Sequence, residues 1–196
     1  WRTRFRMECA ARAAGAKMLQ AGAHMERTRV EAKEGHANFV TNLDEEIQRD
    51  VLAALAEALP EAQMIGEEKE NAPATAEYAF VVDPIDGTTN FITGYRHSAV
   101  SIALLARGEA VAAVVYTPYL NELFTAVRGE GAWMNGARLR VSERDAARAV
   151  ILFGTTPYQP ALRERTFRAA ERLTAAFADV RRSGSAALDL CWLAAG

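Results

Sequence analysis

The spacing of hydrophobic residues predicts two helices in the first 60 positions of the chain. Residues 4–29 are rich in Ala with scattered Arg, Met and Leu, a composition that favours a helix. After a polar stretch at 31–38, Thr41 or Asn42 can cap a second helix. Pro60 ends this helix, because proline cannot continue the hydrogen-bond ladder. The apolar residues of the second helix recur on one face: Leu43, Ile47, Val51, Leu55 and Leu59.

Beyond Pro60 the hydrophobic pattern becomes that of strands. A short strand is predicted at 62–65, and a continuous apolar run at 78–82 is typical of a buried strand that ends at Asp83. The next runs are separated by turn sequences and predict three consecutive strands, 98–106, 110–117 and 121–127. Glycines at 129, 131 and 136 mark further tight turns.

The last part of the chain mixes both patterns again. A strand is predicted within 146–153, an amphipathic helix over 160–178, and an apolar helix from about residue 186. The apolar stripe of the middle helix consists of Leu162, Phe167, Ala170, Leu173 and Phe177. Helices, then an antiparallel meander, then strand and helix together indicate a mixed α/β protein built in layers.

Composition narrows the function classes. Of the 196 residues, 50% are hydrophobic and 24% are charged, and the formal net charge is −2. This balance is typical of a globular protein and excludes a broadly basic nucleic-acid binder. Two cysteines, Cys9 and Cys191, cannot form a disulfide framework, which favours a reducing, cytoplasmic compartment. No apolar run approaches the ~18 residues of a spanning helix, so no membrane partner is expected.

The most informative segment, residues 83–91, combines two carboxylates with a tight turn. The proline after Asp83 pushes that residue towards an extended conformation, and Gly87 permits a turn closed to other residues. Such a turn can aim the carboxylates of Asp83 and Asp86 and the carbonyl of Ile85 at one point. Two like charges held that close are unfavourable without a cation, and hard oxygen ligands favour Mg²⁺.

Three further observations point to chemistry on a phosphoryl group. The backbone amides of residues 88–90 lie at a predicted helix start, which favours phosphate binding. Glu67 follows a separate strand, so its carboxylate can reach the same edge of the sheet. Asp44 lies three positions after Thr41 near the start of the second helix. Carboxylates beside a phosphate-binding turn are typical of metal-assisted phosphoryl chemistry.

Each candidate also has a purely structural interpretation. Asp-Pro and Asp-Gly are common turn dipeptides, and Asp44 lies where a helix N-terminus favours negative charge. Glu68, Lys33 and His36 fit a solvated surface. The candidates near the end of the chain fit caps or core of the final helix: Ser183, Ser185, Cys191 and Trp192.

The string Asp83-Pro84-Ile85-Asp86-Gly87-Thr88-Thr89-Asn90-Phe91 resembles the first signature of the inositol monophosphatase family. The resemblance covers nearly the whole chain and is greatest for bacterial members of a type that includes an antitermination protein. Four further segments carry it: 38–44, 65–68, 121–126 and 182–189. It implies a layered α-β-α-β-α sandwich, formed as a single domain over 1–196 with halves at about 1–140 and 141–196.

The resemblance also implies an activity and the residues that carry it. The activity is Mg²⁺-dependent hydrolysis of inositol monophosphate or a related sugar or polyol phosphate, inhibited by lithium, in a homodimer. The implied metal ligands are Glu67, Asp83, Asp86 and the carbonyl of Ile85, and the residues that orient the attacking water are Asp44, Glu67 and Thr88. The implied substrate contacts are Asp86, Gly87, Thr88, Thr89, Arg182, Gly184, Ser185 and Ala186. Lys33 lies on a loop that closes over the metals in the family.

One part of the family pattern is absent. The second signature, a Trp-Asp pair whose Asp completes the second metal site, does not occur, and the final residues are apolar where natural termini are usually polar. We therefore expect the C-terminal part of the domain to be missing from this sequence. Two alternatives stay open: a regulatory protein on the same fold that binds RNA or the transcription machinery, or a phosphatase for fructose-1,6-bisphosphate, a nucleotide 3′-phosphate or histidinol phosphate.

Overall fold

The computed structural model describes residues 2–24, 28–34, 38–68, 73–155 and 159–196. Its first half contains α1 (Arg2–Gly22), β1 (Val30–Glu34), β2 (Asn38–Thr41), α2 (Asn42–Ala58), β3 (Gln63–Gly66), β4 (Tyr78–Asp86) and α3 (Thr88–Ile92). The meander follows as β5 (Ala99–Ala106), β6 (Glu109–Thr117), β7 (Glu122–Val127), β8 (Gly131–Met134) and β9 (Ala137–Arg138). The last elements are a 3₁₀ turn (Ala146–Arg148), β10 (Val150–Leu152), α4 (Pro160–Ala176), β11 (Asp179–Arg181) and α5 (Ala186–Ala195).

A seven-stranded sheet in the order β3-β4-β5-β6-β7-β8-β9 organises the molecule. β3 and β4 are parallel, whereas every later neighbour pair is antiparallel, as the short turns of the meander predict. The pairing of β4 with β5 shifts between Asp83 and Asp86. Pro84 lies inside this irregularity, since proline has no N–H to give to a ladder. The predicted strand therefore does not end at Asp83 but continues, distorted, to Asp86.

The sheet is covered by helices on both faces. α1 and α2 pack on one face, where the fully buried side chains include Met18, Ile47, Phe80 and Ile102. Side chains alternate between faces along β5, so its Ala99 lies on the opposite face, where it packs with Phe124 and Leu188 of α5. This layering agrees with the expected α/β architecture.

α2 begins as the sequence predicts. Thr41 is its N-cap and accepts hydrogen bonds from the backbone N–H groups of Leu43 at 3.2 Å and Asp44 at 3.3 Å. The Asp44 carboxylate in turn accepts a hydrogen bond from the Thr41 backbone N–H at 2.8 Å, which completes a capping box. The predicted apolar face is buried at Leu43, Ile47, Val51 and Leu55.

Several predicted boundaries are wrong. α1 ends at Gly22 rather than at 29, and residues 31–38, predicted only as a polar stretch, include parts of the antiparallel β1–β2 hairpin. The predicted strand at 146–153 begins with a 3₁₀ turn, because Asp145 caps the backbone N–H of Arg148 at 3.1 Å. The short strands β8, β9 and β11 were not predicted. They are two to four residues long, too short to show an alternating pattern.

The predicted stripe of α4 is largely uncovered. Only Ala170 is buried, whereas Leu162 is 39% exposed and Phe167 is 56% exposed. α4 lies beside a small parallel pair formed by β10 and β11. Within the described ranges, no helix is long and apolar enough to cross a membrane.

The capping box at α2 yields a stability prediction. Thr41→Val keeps the shape of the side chain but removes the acceptor for two helix N–H groups, so we expect unfolding to require about 1 kcal/mol less free energy. Urea unfolding followed by circular dichroism measures this difference. The matched control is Thr174→Val, whose hydroxyl is exposed within α4, with an expected change below about 0.5 kcal/mol. Equal stability of the Thr41 variant and the native chain would contradict the capping role.

Candidate active site

The candidate site forms where β3 and β4 end. These strands are parallel neighbours, so their carboxyl ends meet at one edge of the sheet. Glu67 follows β3, and its backbone N–H donates to the carbonyl of Val82 in β4 at 3.0 Å. This bond sets the Glu67 side chain beside the distorted end of β4, where Asp83 and Asp86 lie.

The turn after β4 has the shape that the sequence predicts. The backbone N–H of Ile85 donates to the Asp83 carboxylate at 3.1 Å, and the Ile85 carbonyl accepts from the Thr88 hydroxyl at 3.1 Å. Gly87 has a φ of 90° and is the N-cap of α3. A Cβ at Gly87 would lie 3.0 Å from the backbone oxygen of His97, so both conformation and space require glycine here.

Several acidic side chains surround the carboxyl group of Asp83. Burial raises the pKa of this carboxyl to about 9, with further contributions from the charges of Glu67 and Asp86, from a hydrogen bond with Glu67 and from the charge of Asp44. The pKa of Asp86 is also raised by burial, an effect that its own hydrogen bonds oppose. Carboxylates so arranged favour either a bound proton or a bound cation.

The donor set fits Mg²⁺ better than a softer ion. Glu67, Asp83, Asp86 and the Ile85 carbonyl supply hard oxygens at one strand edge, with neither His nor Cys among them. In the part of the chain that the structure describes, no group of three or more His, Cys, Asp or Glu side chains is already arranged as a metal cage. Mg²⁺ keeps several waters and needs only one or two carboxylates plus substrate oxygens, so the two observations are compatible.

Asp44 and Thr88 form a second polar unit beside the carboxylates. Asp44 is 1% exposed, and its carboxylate accepts from the Thr41 backbone N–H and from the Thr41 hydroxyl at 2.5 Å. The Thr88 hydroxyl lies 3.4 Å from the other oxygen of Asp44. Asp44 therefore closes the helix cap with one oxygen and contacts Thr88 with the other.

Asp86 connects the strand edge with α5. Its carboxylate accepts from the Ser185 hydroxyl at 2.6 Å, from the Ala186 N–H at 3.3 Å and from the Ala187 N–H at 2.7 Å. Ser185 occupies the N-cap position of α5, as its structural interpretation allows, but its side chain makes no capping hydrogen bond to its own helix. The acceptor for the first N–H groups of α5 is instead the carboxylate of Asp86, which lies about 100 positions earlier in the chain.

The other predicted substrate contacts lie around this junction. Gly184 has a φ of 88°, and the Ser183 hydroxyl donates to Asp189 at 2.5 Å. Arg182 is exposed and donates to the Thr155 hydroxyl at 3.1 Å. Thr89 is exposed in the first turn of α3. The structure thus brings the 182–186 segment to the edge that carries Asp86.

The sequence did not reveal the side-chain roles of Gln48 and Asn90, although the backbone amide of Asn90 was among the predicted phosphate-binding groups. Gln48 is 2% exposed, and its carbonyl oxygen accepts from the Glu68 backbone N–H at 2.9 Å, which supports the turn that carries Glu67. The available signal was its position one helical turn after Asp44 on α2. Asn90 is 7% exposed and donates to two backbone carbonyls.

His97 belongs to no sequence motif, yet it lies next to the site: its backbone oxygen faces Gly87. Its ring centroid is 5.0 Å from that of Trp192. Burial lowers the pKa of His97, although the charges of Asp189 and Asp86 act in the opposite direction. Its Nε2 atom is buried and has no hydrogen-bond partner among the described residues.

The remaining candidates are structural or lie outside the description. Burial, followed by the charges of Asp86 and Glu122, raises the pKa of Cys191 to about 12, and Trp192 donates to Glu122 at 3.0 Å. Both belong to α5 and are partly buried against the cluster of Ala99, Phe124 and Leu188, as their core interpretation predicts. Lys33 belongs to β1, with its side chain outside the described part, and His36 lies outside the described residues altogether.

Residues 2–196 match the inositol monophosphatase family, and the chain belongs to this family. It is 40% identical over 190 residues to Nus factor SuhB of Vibrio cholerae, covering 95% of this chain and 70% of that protein. The chain spans 60 to 70% of the length of the curated relatives it matches most strongly. The resemblance inferred from the motifs is thereby confirmed, including the SuhB-like branch.

Solved structures confirm the fold. The extragenic suppressor protein SuhB of Bartonella henselae is 36% identical with a TM-score of 0.91, covering 97% of this chain and 74% of that one. The IMPase of Thermotoga maritima is 31% identical with a TM-score of 0.85, covering 95% and 70%. A 26% identical IMPase/NADP phosphatase, with a TM-score of 0.72 over 89% of this chain and 66% of that one, was solved with Mg²⁺ and phosphate. Members of this family therefore bind Mg²⁺.

The raised pKa of Asp83 predicts how stability depends on pH. A carboxyl group whose pKa is higher in the folded than in the unfolded chain stabilises the fold at low pH and loses that contribution as pH rises towards the folded value, here about 9. Without divalent metal, unfolding free energy should fall between pH 5 and pH 9 by up to about 1.4 kcal/mol per pH unit.

Asp83→Asn removes the titrating group and should flatten this slope. Urea midpoints in EDTA at several pH values measure it, and Mg²⁺ should restore stability at high pH in the native chain alone. The control is Asp145→Asn, since Asp145 is exposed and paired with Arg148. An unchanged slope in Asp83→Asn would show that another group causes the pH dependence.

Proposed function

We propose that the protein is a Mg²⁺-dependent phosphate monoester hydrolase that acts on inositol monophosphate or a related sugar or polyol phosphate. The observation that carries the proposal is the placement of Glu67, Asp83 and Asp86 beside the Thr88–Asp44 pair, at the shared edge of β3 and β4. Three clustered carboxylates, two of them half-buried, next to a turn that presents backbone N–H groups suit a reaction on an anionic phosphoryl group bound with cations.

The proposed metal ligands follow from the donor set. Glu67, Asp83 and the Ile85 carbonyl would hold one Mg²⁺, and Asp83 with Asp86 a second. When bound, Mg²⁺ polarises the phosphoryl oxygens and lowers the pKa of a coordinated water.

The chain's own residues would orient the reacting water. The Thr88 hydroxyl lies between the Asp44 carboxylate at 3.4 Å and the Ile85 carbonyl at 3.1 Å. Its single O–H can turn from the Ile85 carbonyl to Asp44, which leaves the hydroxyl oxygen to accept a hydrogen bond from a water. Glu67, exposed at the end of β3, would accept a proton from the same water.

Substrate binding would divide between the two sides of the turn. On the α3 side, the N–H groups of Gly87, Thr88 and Thr89 would hold the phosphate, because the first N–H groups of a helix lack intrahelical acceptors. On the α5 side, the hydroxyls of the polyol would meet four residues and the carboxylate of Asp86: Arg182, Gly184, Ser185 and Ala186. We also propose a cytoplasmic homodimer, as the family resemblance implies.

A second function is favoured by the sequence comparison. The Vibrio cholerae relative, at 40% identity, is named Nus factor SuhB. We propose on this ground that the protein also binds the transcription machinery or RNA. The identity is spread over 95% of the chain, so it is not confined to the metal-site motifs.

Loss of Asp83 tests the hydrolase directly. Asp83→Asn should reduce Mg²⁺-dependent phosphate release from inositol 1-phosphate by at least about a thousandfold, since this carboxylate is proposed to bridge both metals. A phosphate-release assay on a chain of verified mass measures it, with Asp145→Asn as the control that keeps native activity. Retained activity in Asp83→Asn would place the reaction elsewhere.

Substrate class and the second function need separate tests. In a substrate panel, inositol 1-phosphate should be hydrolysed fastest. Lithium should inhibit the hydrolysis of every substrate in the panel. Faster turnover of a nucleotide 3′-phosphate, histidinol phosphate or fructose-1,6-bisphosphate would overturn the assignment.

Asp86→Asn should disable catalysis. If this variant still complements the cellular phenotype of a gene deletion, the transcription role is independent of hydrolysis. Failure to complement would tie the phenotype to the phosphatase.

A further inference from the structure

Asn90 connects three segments that are distant in sequence. It lies in α3, and its Nδ2 donates to the backbone carbonyl of His97 at 2.7 Å and to that of Ser183 at 2.9 Å. A primary amide has two N–H donors, so both are used by these carbonyls. One acceptor precedes β5 and the other precedes α5.

The three segments meet without spare volume at this point. A Cβ at Gly87 would lie 3.0 Å from the carbonyl oxygen of His97 and 3.2 Å from that of Gly184. A Cβ at Gly184 would in turn lie 3.1 Å from both terminal atoms of the Asn90 carboxamide. The Asn90 side chain is therefore the polar bridge in a close contact between the turn after β4 and the start of α5.

The position of the α5 start matters because it carries the partners of Asp86. The Ser183 carbonyl held by Asn90 lies two to four residues before the Ser185 hydroxyl and the Ala187 N–H, which bond to Asp86 at 2.6 and 2.7 Å. A shift of this carbonyl would move both donors relative to Asp86.

We propose that Asn90 is a positioning residue that fixes the polyol-binding start of α5 against the phosphate-binding turn. The proposal rests on the proposed function for its kinetic consequence. The geometry behind the proposal does not depend on that function: two hydrogen bonds from Asn90 Nδ2 join the backbone carbonyls of Ser183 and His97. A carboxylate at position 90 would face two carbonyl oxygens and has no N–H to donate, so Asn90→Asp would lose both hydrogen bonds.

The first experiment measures amide hydrogen exchange without divalent metal. In Asn90→Ala, the N–H of Ala187 should exchange at least about tenfold faster, because the segment that holds it on Asp86 is released. Exchange at Val114, buried in the centre of β6, should stay unchanged. The matched control is Thr93→Val at the C-cap of α3. It removes hydroxyl bonds to the backbone carbonyls of Thr89 at 2.8 Å and Asn90 at 3.3 Å but leaves the Asn90 side chain in place, so Ala187 exchange should stay as in the native chain.

Two further measurements cover the case in which Asn90→Ala does not fold. Asn90→Asp preserves the side-chain shape and should give the same faster exchange at Ala187. In the native chain, both Nδ2 protons of Asn90 should exchange more slowly than those of a free Asn side chain. The proposal would be overturned if these side-chain protons exchanged as fast as those of a free Asn. It would also be overturned if the Ala187 N–H stayed as protected in a folded Asn90 variant as in the native chain.

The second experiment separates positioning from a general structural role. For inositol 1-phosphate, Asn90→Ala should raise KM about tenfold with a smaller change in kcat, while phenyl phosphate, which has no polyol, should change less than about twofold. Equal losses for both substrates would overturn positioning of the polyol side. If the native chain hydrolyses neither substrate, the proposed function fails, and the exchange experiment alone decides the role of Asn90.

Discussion

The crowding of the Glu67, Asp83 and Asp86 carboxyl groups at one strand edge is the constraint on which this structure depends. Asp83 carries most of the cost, because it is removed from water beside Glu67 and Asp86, and its pKa rises to about 9. The irregularity that Pro84 introduces into β4 and the glycine turn at 87 hold the carboxylates in this arrangement. A core packed on both faces of the sheet supplies the stability that offsets the repulsion.

Asp86 shows how the same constraint organises the second half of the chain. Its carboxylate accepts bonds from Ser185, Ala186 and Ala187, so the start of α5 is held by a residue of the central sheet. An acidic group at a helix N-terminus is favourable, which partly compensates for its burial. Helix capping and site assembly thus use one interaction.

The sequence predicts elements whose signals are local. Alternation and turn residues located the meander, and Thr41 with Asp44 located the start of α2 and one part of the site. The contacts of Gln48 and Asn90 were not predictable, since their partners lie 20 and 93 positions away. Helical spacing places Gln48 one turn after Asp44 but does not show which group its side chain meets. The exposure of the apolar stripe of α4 was unpredictable for the same reason, because periodicity shows that a helix has an apolar face but not which element covers it.

We propose that the raised pKa of Asp83 and the binding of Mg²⁺ by this chain have one cause, the crowding of carboxyl groups at the ends of β3 and β4. Titration calorimetry of the native chain with Mg²⁺ near pH 7.5, repeated in buffers of different ionisation enthalpy, measures the protons released on binding. The raised pKa of Asp83 predicts that this carboxyl gives up a proton when it ligates a cation, so release of up to about one proton is expected, and none in Asp83→Asn. Mg²⁺ binding without proton release, or the same release in Asp83→Asn, would contradict the account.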